Sequence, residues 1–340
     1  MDTARLDSLA VAVRDAARVV PVGNRTQCDV GNPPEGAALE VRAPEGILAY
    51  EPADLTVTVA AGTTVQELSE TLDAHGQECA LDPRSTEATV GGVIATGLSG
   101  HRRLRWGPLR DRVLEVRFVN ADGDLVKGGG PTVKNVSGFD LPRLLVGSLG
   151  TIGVLTQVTL RCQPVARVSE WGTTRADPFA VLRRAFKASS ILWDGRETHV
   201  LVEGVPADVV AERDAVGTTE SDAAPAFPEG PHRGRISVRA SALPTLGPLL
   251  DGARVRWLAE VGIGTVHVAA DEERDLAAAR RVAEGSGGWL LRETGAPGLD
   301  GYGRTLPNAR LQERVRAAFD PSGKFSPGRM QPAGSDRAGD

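Results

Sequence analysis

Between residues 89 and 100 the chain reads Thr89-Val90-Gly91-Gly92-Val93-Ile94-Ala95-Thr96-Gly97-Leu98-Ser99-Gly100. Small residues dominate this run, so backbone and hydroxyl groups can come close to something bulky. A diphosphate fits that need. Clustered N–H groups and a helix N-terminus bind phosphate oxygens without basic side chains. That suits a chain with 39 Lys plus Arg against 44 Asp plus Glu, a formal net charge of −5. A glycine-rich structural turn has the same composition, and a lone glycine cluster does not separate the two readings. Spacing does argue against two common nucleotide sites. No G-x-x-x-x-G-K-[ST] run occurs, and Gly147 to Gly153 spaces its glycines as G-x-x-G-x-x-G rather than G-x-G-x-x-G.

The chain has 340 residues, and at about 150 residues per domain that length predicts two domains. Hydrophobic residues make up 41% and charged residues 24%, which excludes wholesale disorder. The negative balance argues against a surface built for nucleic acid or anionic lipid. Cys28, Cys79 and Cys162 are odd in number and far apart. They supply no C-x-x-C pair, no iron–sulfur ligand run and no disulfide framework, and a reducing, cytoplasmic location fits them. The opening residues lack a basic segment followed by an apolar core, and no run of about 18 apolar residues occurs, so no transmembrane segment is expected.

Leu6, Leu9, Val13, Ala17 and Val20 recur at helical spacing. Pro21-Val22-Gly23-Asn24-Arg25-Thr26 follows the apolar Val19-Val20 and reads as a tight loop leaving a strand, with N–H groups open to a ligand. Leu55 to Ala60 alternates as a strand. Thr64-x-x-Glu67 then forms a capping box, with Val65, Leu68 and Leu72 on one helical face and a stop at Gly76. Leu114 to Phe118 and Leu125-Val126 flank an Asn-Ala-Asp-Gly-Asp turn and predict a hairpin, and Val154 to Leu160 alternates as another strand. Near Pro164 the glycine-rich character fades. Beyond it we expect a helix at Pro178–Lys187, strands at His199–Val202 and Ile236–Ala240, and a mobile surface excursion at 214–235, which has few large apolar residues. A short helix is expected at Leu311–Phe319 and a disordered tail at 332–340.

Four blocks stand in the order found in the FAD-binding domains of the vanillyl-alcohol oxidase/p-cresol methylhydroxylase superfamily. They are Pro21 to Thr26; Ala61-Gly62-Thr63-Thr64 with Ala88 to Gly92; Trp106-Gly107-Pro108-Leu109-Arg110-Asp111; and Gly147 to Val154. Gly129 to Leu141, Arg143-Leu144, Val146-Gly147-Ser148 and the ending Phe319-Asp320-Pro321…Phe325-Ser326-Pro327-Gly328-Arg329-Met330 resemble more specifically the FAD-binding subunits of bacterial glycolate oxidases. The resemblance implies an α+β fold: a p-cresol methylhydroxylase-type FAD-binding domain of two α+β subdomains, spanning 1–165 and completed by 306–331, with a smaller α+β cap at 166–305. It implies that Pro21, Val22, Gly23, Asn24, Arg25 and Thr26, together with Gly91 and Gly92, hold the FAD pyrophosphate, with Thr89 and Val90 also at the cofactor. Ala95, Thr96, Ser99 and Gly100 would lie along the ribityl and flavin region, Gly150, Gly153 and Val154 beside the adenine, and Gly107 is a further cofactor-binding residue by the same resemblance. The first loop carries no histidine of the kind that attaches flavin in covalent members, so FAD is expected to bind non-covalently. Ser326 stands where relatives commonly carry Asn before Pro-Gly.

The function this implies is that of an FAD-dependent oxidoreductase subunit acting on glycolate or another small 2-hydroxy acid. Its partners would be a paralogous catalytic flavoprotein and an iron–sulfur protein, through which it could also associate peripherally with a membrane. A structural subunit without tight FAD and a stand-alone FAD-dependent alcohol oxidoreductase are the alternatives. No catalytic residue is assigned. The histidines His75, His101, His199, His232 and His267 include no pair at metal-ligand spacing, so no metal is expected. His267 reads as a strand histidine, Lys134 as a flavin-side donor or a surface lysine. His101 with Arg102, Arg103 and Arg105 reads as a cationic group near flavin, substrate or partner, or as a solvated loop.

Overall fold

A computed structural model describes residues 3–130, 139–221, 223–303 and 308–330. Lys134, the middle of the Gly129–Leu141 block and the tail beyond Met330 lie outside them. The first helix, Thr3–Asp15, buries Leu6, Leu9 and Val13 and ends before the short strand Val19–Pro21, which carries Val20 instead. That strand pairs in parallel with Leu39–Val41.

Among the described residues the first half is built on a five-stranded antiparallel sheet. Its order is Ile47–Glu51, Thr56–Ala60, Val154–Arg161, Val113–Val119 and Leu125–Gly129. The alternation seen in sequence puts Val57, Val59, Val116, Phe118, Val158 and Leu160 into one core, against the helices Val65–Asp73 and Val90–Thr96. Thr64 caps the helix as expected, accepting from Glu67 N at 3.1 Å, while the reciprocal bond of a capping box, from Thr64 N to the Glu67 side chain, is not made.

Among the described residues the second half is built on an eight-stranded antiparallel sheet in the order Thr219–Ser221, Val168–Thr174, Thr198–Gly204, Ala188–Trp193, Arg256–Glu260, Thr265–Ala270, His232–Ser237 and Trp289–Thr294. The fold is α+β. The segment 214–235 differs from its expected role as a mobile excursion. Helix Pro206–Val216 runs into it, Thr219–Ser221 pairs with Val168–Thr174, and His232–Ser237 lies between two other strands of the sheet. The last of these is an inner strand although Ile236 is its only large apolar residue, the others being His232, Arg233, Gly234, Arg235 and Ser237. At Gly234 a Cβ would stand 2.8 Å from Leu290 Cδ2, and the charge of Arg235 is met by Glu293 at 2.9 Å. The expected strand Ile236–Ala240 is therefore the end of an earlier one, followed by a 3-10 turn at Ala240–Ala242.

The C-terminal helix Ala309–Phe319 is followed by a segment that returns to the first half. Phe325 bridges Val19 in parallel, and Val19 N donates to Lys324 O at 2.8 Å. Among the described residues no helix is long and apolar enough to cross a membrane.

Candidate cofactor site

Thr89 starts the site. Its side chain accepts from Gly92 N at 3.2 Å and caps the helix Val90–Thr96, which stops at Gly97 in the left-handed conformation, φ 67°. The helix is seated on the turn after the strand Thr56–Ala60: Val90 N donates to Thr63 O at 2.8 Å and Gly91 N to Ala61 O at 2.7 Å. A Cβ on Gly91 would sit 2.8 Å from that same Ala61 oxygen, so only glycine allows the approach.

The loop Pro21–Thr26 lies across the helix start. Val22 N donates to Val41 O at 2.9 Å and Asn24 Nδ2 to Glu87 O at 2.9 Å, while a Cβ on Gly23 would fall 2.2 Å from Thr89 Oγ1. Arg25 takes a positive φ of 59°. Among the described residues the backbone N–H groups of Gly23, Asn24, Arg25 and Thr26 meet no acceptor. A turn that leaves successive N–H groups unpaired is an anion cradle. The donors expected at Gly91 and Gly92 are already engaged, with Ala61 O and Thr89 Oγ1, so these glycines contribute space rather than N–H groups.

A third wall comes from the Gly147–Val154 loop. Leu149 and Gly150 both have positive φ, Leu149 N donates to Ala95 O at 2.8 Å, and Gly150 lies against the Pro21 ring. Together these walls line one cleft, open to solvent on one side.

Fourteen of the residues singled out in sequence line this cleft: Pro21 to Thr26, Thr89, Gly91, Gly92, Ala95, Thr96, Gly150, Gly153 and Val154. Four do not. Val90 is in the core; Ser99 accepts from Leu109 N at 3.0 Å; Gly100 is backed by Asp82; Gly107, at φ 74°, ends the turn Arg103–Trp106. The cleft also takes residues outside that set. Gln27 accepts from Thr96 Oγ1 at 2.7 Å, Cys28 is half-buried in the wall, Ala61, Gly62, Leu149 and Arg329 also line it, and Val41, Arg42, Ala43, Glu45, Ser148 and Leu155 make up the rest. Ala61-Gly62 and Arg329 belong to blocks that carried the family resemblance, which was the signal available for them.

The cationic group after Gly100 divides. Arg102 is held by Asp82 and Glu78, each at 2.7 Å, and by Glu203 at 3.2 Å, which ties it across to the strand Thr198–Gly204. Arg105 donates to Glu203 O and stacks on Trp106. His101 sits near Trp171 and Phe227, and burial holds its pKa below the usual histidine value. Arg103 lines a separate surface cleft with Arg110 and Arg143.

Under the second sheet lies a buried polar group. His267 Nε2 is 2.7 Å from Glu260 Oε1, and both residues are 2% exposed. Burial pushes the Glu260 carboxyl up to about 7 and His267 well below its usual value. Beside them, burial works to raise Glu293, but the guanidinium groups of Arg235 and Arg84 outweigh it and hold that carboxyl below its ordinary range. Neither His101 nor His267 lines the cofactor cleft.

Residues 5–129 match the family model described as "FAD binding domain". This is an FAD-binding domain of the p-cresol methylhydroxylase type. The chain is homologous to the glycolate oxidase subunit GlcE of Escherichia coli (strain K12), at 29% identity over 96% of each chain. With the D-lactate dehydrogenase of Archaeoglobus fulgidus it shares 42% identity over 37% of this chain and 28% of that one. The glycolate oxidase subunit GlcD of Bacillus subtilis matches at 33% over 46% of this chain and 34% of that one. An alkyldihydroxyacetonephosphate synthase structure superposes with a TM-score of 0.67 at 14% identity, covering 94% of this chain and 74% of that chain. That likeness extends the shared fold beyond the FAD-binding domain into the second sheet.

Proposed function

We propose that this chain is the FAD-binding subunit of a glycolate oxidase-like complex, acting with a paralogous flavoprotein subunit and an iron–sulfur subunit on glycolate or another small 2-hydroxy acid. The observation that carries this reading is coverage. Alignment to GlcE runs over 96% of both chains, whereas the D-lactate dehydrogenase and GlcD are matched over only 28% and 34% of their lengths. Residues 1–165 with 306–331 would form the FAD-binding unit and 166–305 the cap. The return of Lys324-Phe325 to Val19 supports that grouping.

The residues of the cleft fit FAD. The unpaired N–H groups of Gly23 to Thr26 would receive the diphosphate, with Gly92 leaving room beside them. Ala95, Thr96, Gln27 and Leu149 would border the ribityl and flavin part, and Gly150, Gly153 and Val154 the adenine side. When bound, FAD supplies a two-electron acceptor for the α-carbon hydride of a hydroxy acid. Among the described residues His267 is committed to Glu260, and Arg235 to Glu293 and to Ser99 O at 2.8 Å. Such mutual commitment favours substrate oxidation on a partner subunit, with this chain serving electron transfer or assembly.

The test is the absorption spectrum of the purified chain before and after acid precipitation, followed by addition of glycolate. A flavin spectrum that moves to the supernatant, unbleached by glycolate until partner subunits are added, is the expected result. Glycolate-dependent bleaching by the isolated chain would overturn the division of labour. A folded chain that takes up no FAD would overturn the cofactor reading.

A further inference from the structure

Arg329 stands in the Phe325-Ser326-Pro327-Gly328-Arg329-Met330 ending and in the wall of the cofactor cleft, yet is only 7% exposed. Its Nη2 donates to Cys28 O at 2.9 Å and to Val30 O at 3.4 Å. Nε is buried without a partner, Nη1 makes no hydrogen bond among the described residues, and no carboxylate lies within ion-pair distance. Among the described residues the other two buried arginines, Arg280 and Arg292, also donate only to backbone carbonyls, but neither lines the cleft; the half-buried Arg102 and Arg235 are paired with carboxylates. The other two arginines of the cleft, Arg25 and Arg42, are exposed, and Arg25 is engaged with Glu40. A guanidinium taken out of water with two carbonyls as its only partners is under-compensated. Burial accordingly pulls its pKa down.

We propose that Arg329 is the counter-charge for bound FAD, completing its own electrostatics only when the cleft is filled. The inference rests on the reading that this cleft holds FAD. FAD brings negative charge in two places, the diphosphate in every state and the isoalloxazine ring once reduced. Charge-assisted, forked hydrogen bonding by arginine suits either.

The experiment compares wild type, Arg329→Gln and Arg329→Lys by three readouts: the Kd for oxidised FAD, the Kd for ADP, and the midpoint potential of the bound flavin. If the diphosphate is the partner, Arg329→Gln weakens FAD and ADP together by tenfold or more, with the potential unchanged. If the reduced ring is the partner, ADP binding is unchanged and the reduced form loses about tenfold in affinity relative to the oxidised one. That lowers the potential by about 30 mV for a two-electron couple. Arg329→Lys recovers most of either loss. An Arg329→Gln protein equal to wild type in all three readouts overturns the proposal. Should Arg329→Gln fail to fold, a crystal structure of the FAD-loaded wild type decides. A guanidinium nitrogen about 2.7–2.9 Å from a phosphate or flavin-ring acceptor supports the proposal, and a guanidinium facing no polar atom of FAD overturns it. Absence of FAD binding by wild type would instead sink the cofactor reading.

Discussion

The cleft depends on two contacts made by residues that have almost no side chain. Gly92 has only Thr89 Oγ1 within 4 Å of a built Cβ, at 3.0 Å, so a side chain there enters the cleft rather than the core. Gly92→Asp should leave the melting temperature within a few degrees of wild type and weaken FAD by at least tenfold in a fluorescence titration. Unchanged affinity would remove the diphosphate from this place. Gly23 is tighter, and a methyl on it would strike Thr89 Oγ1 at 2.2 Å. Gly23→Ala should cost about 1–3 kcal/mol through overpacking, and Thr89→Ala about 1 kcal/mol through the lost cap. Because the second change removes the atom that the first one strikes, the double variant should lose less than the sum, and denaturant melts of the four proteins measure that coupling. The small-residue run therefore announced itself in sequence. Its division of labour did not, because which N–H groups remain unpaired depends on Ala61 O and Thr63 O, which come from a distant part of the chain and take up the N–H groups of Gly91 and Val90, while Thr89 Oγ1 takes that of Gly92.

At the scale of elements, the helix capped by Thr64, the hairpin and the alternating strands of the first half were legible because each is a local periodicity ending in a local signal. His232–Ser237 was not legible. Its place inside a sheet is fixed by pairings with Thr265–Ala270 and Trp289–Thr294 and by the ion pair of Arg235, all distant in sequence. The C-terminal ending was legible only as a motif, and its packing supplies the reason for its residues. Lys324, 8% exposed, donates from Nζ to Val13 O, Arg14 O and Ala121 O at 2.9 to 3.1 Å, while Asp320 accepts from Phe325 N at 2.8 Å. One ammonium thus joins the end of the first helix, the hairpin turn and the returning segment. Lys324→Met keeps the stem and abandons three buried carbonyls, which should cost about 2–4 kcal/mol. Chemical denaturation measures that loss. A variant as stable as wild type would mean that the carbonyls find water.

Across the whole molecule, the buried pair under the second sheet makes a statement about pH that neither residue makes alone. At acidic to neutral pH the native pair keeps one proton, on Glu260, whose carboxyl is raised to about 7 while His267 stays neutral. Between the ordinary values of 4.5 for Glu and 6.5 for His, the unfolded pair also keeps one proton, on the histidine. Native and unfolded states then bind equal numbers of protons, and the pair adds no pH dependence to stability in that window. Removing either partner exposes the slope of the other. In His267→Gln the native state binds a proton on Glu260 that the unfolded state has released, so stability should fall as pH rises from 4.5 to 7, by up to about 1.4 kcal/mol per pH unit. In Glu260→Gln the unfolded state binds a proton on His267 that the native state refuses, so stability should fall as pH drops below 6.5. Melts of the two variants across pH 5 to 7 should therefore slope in opposite directions against a flatter wild type. A His267→Gln protein that instead loses stability as pH falls, in parallel with Glu260→Gln, would mean that the buried Glu260 carboxyl is ionised in the folded variant and would overturn the neutral-carboxyl reading.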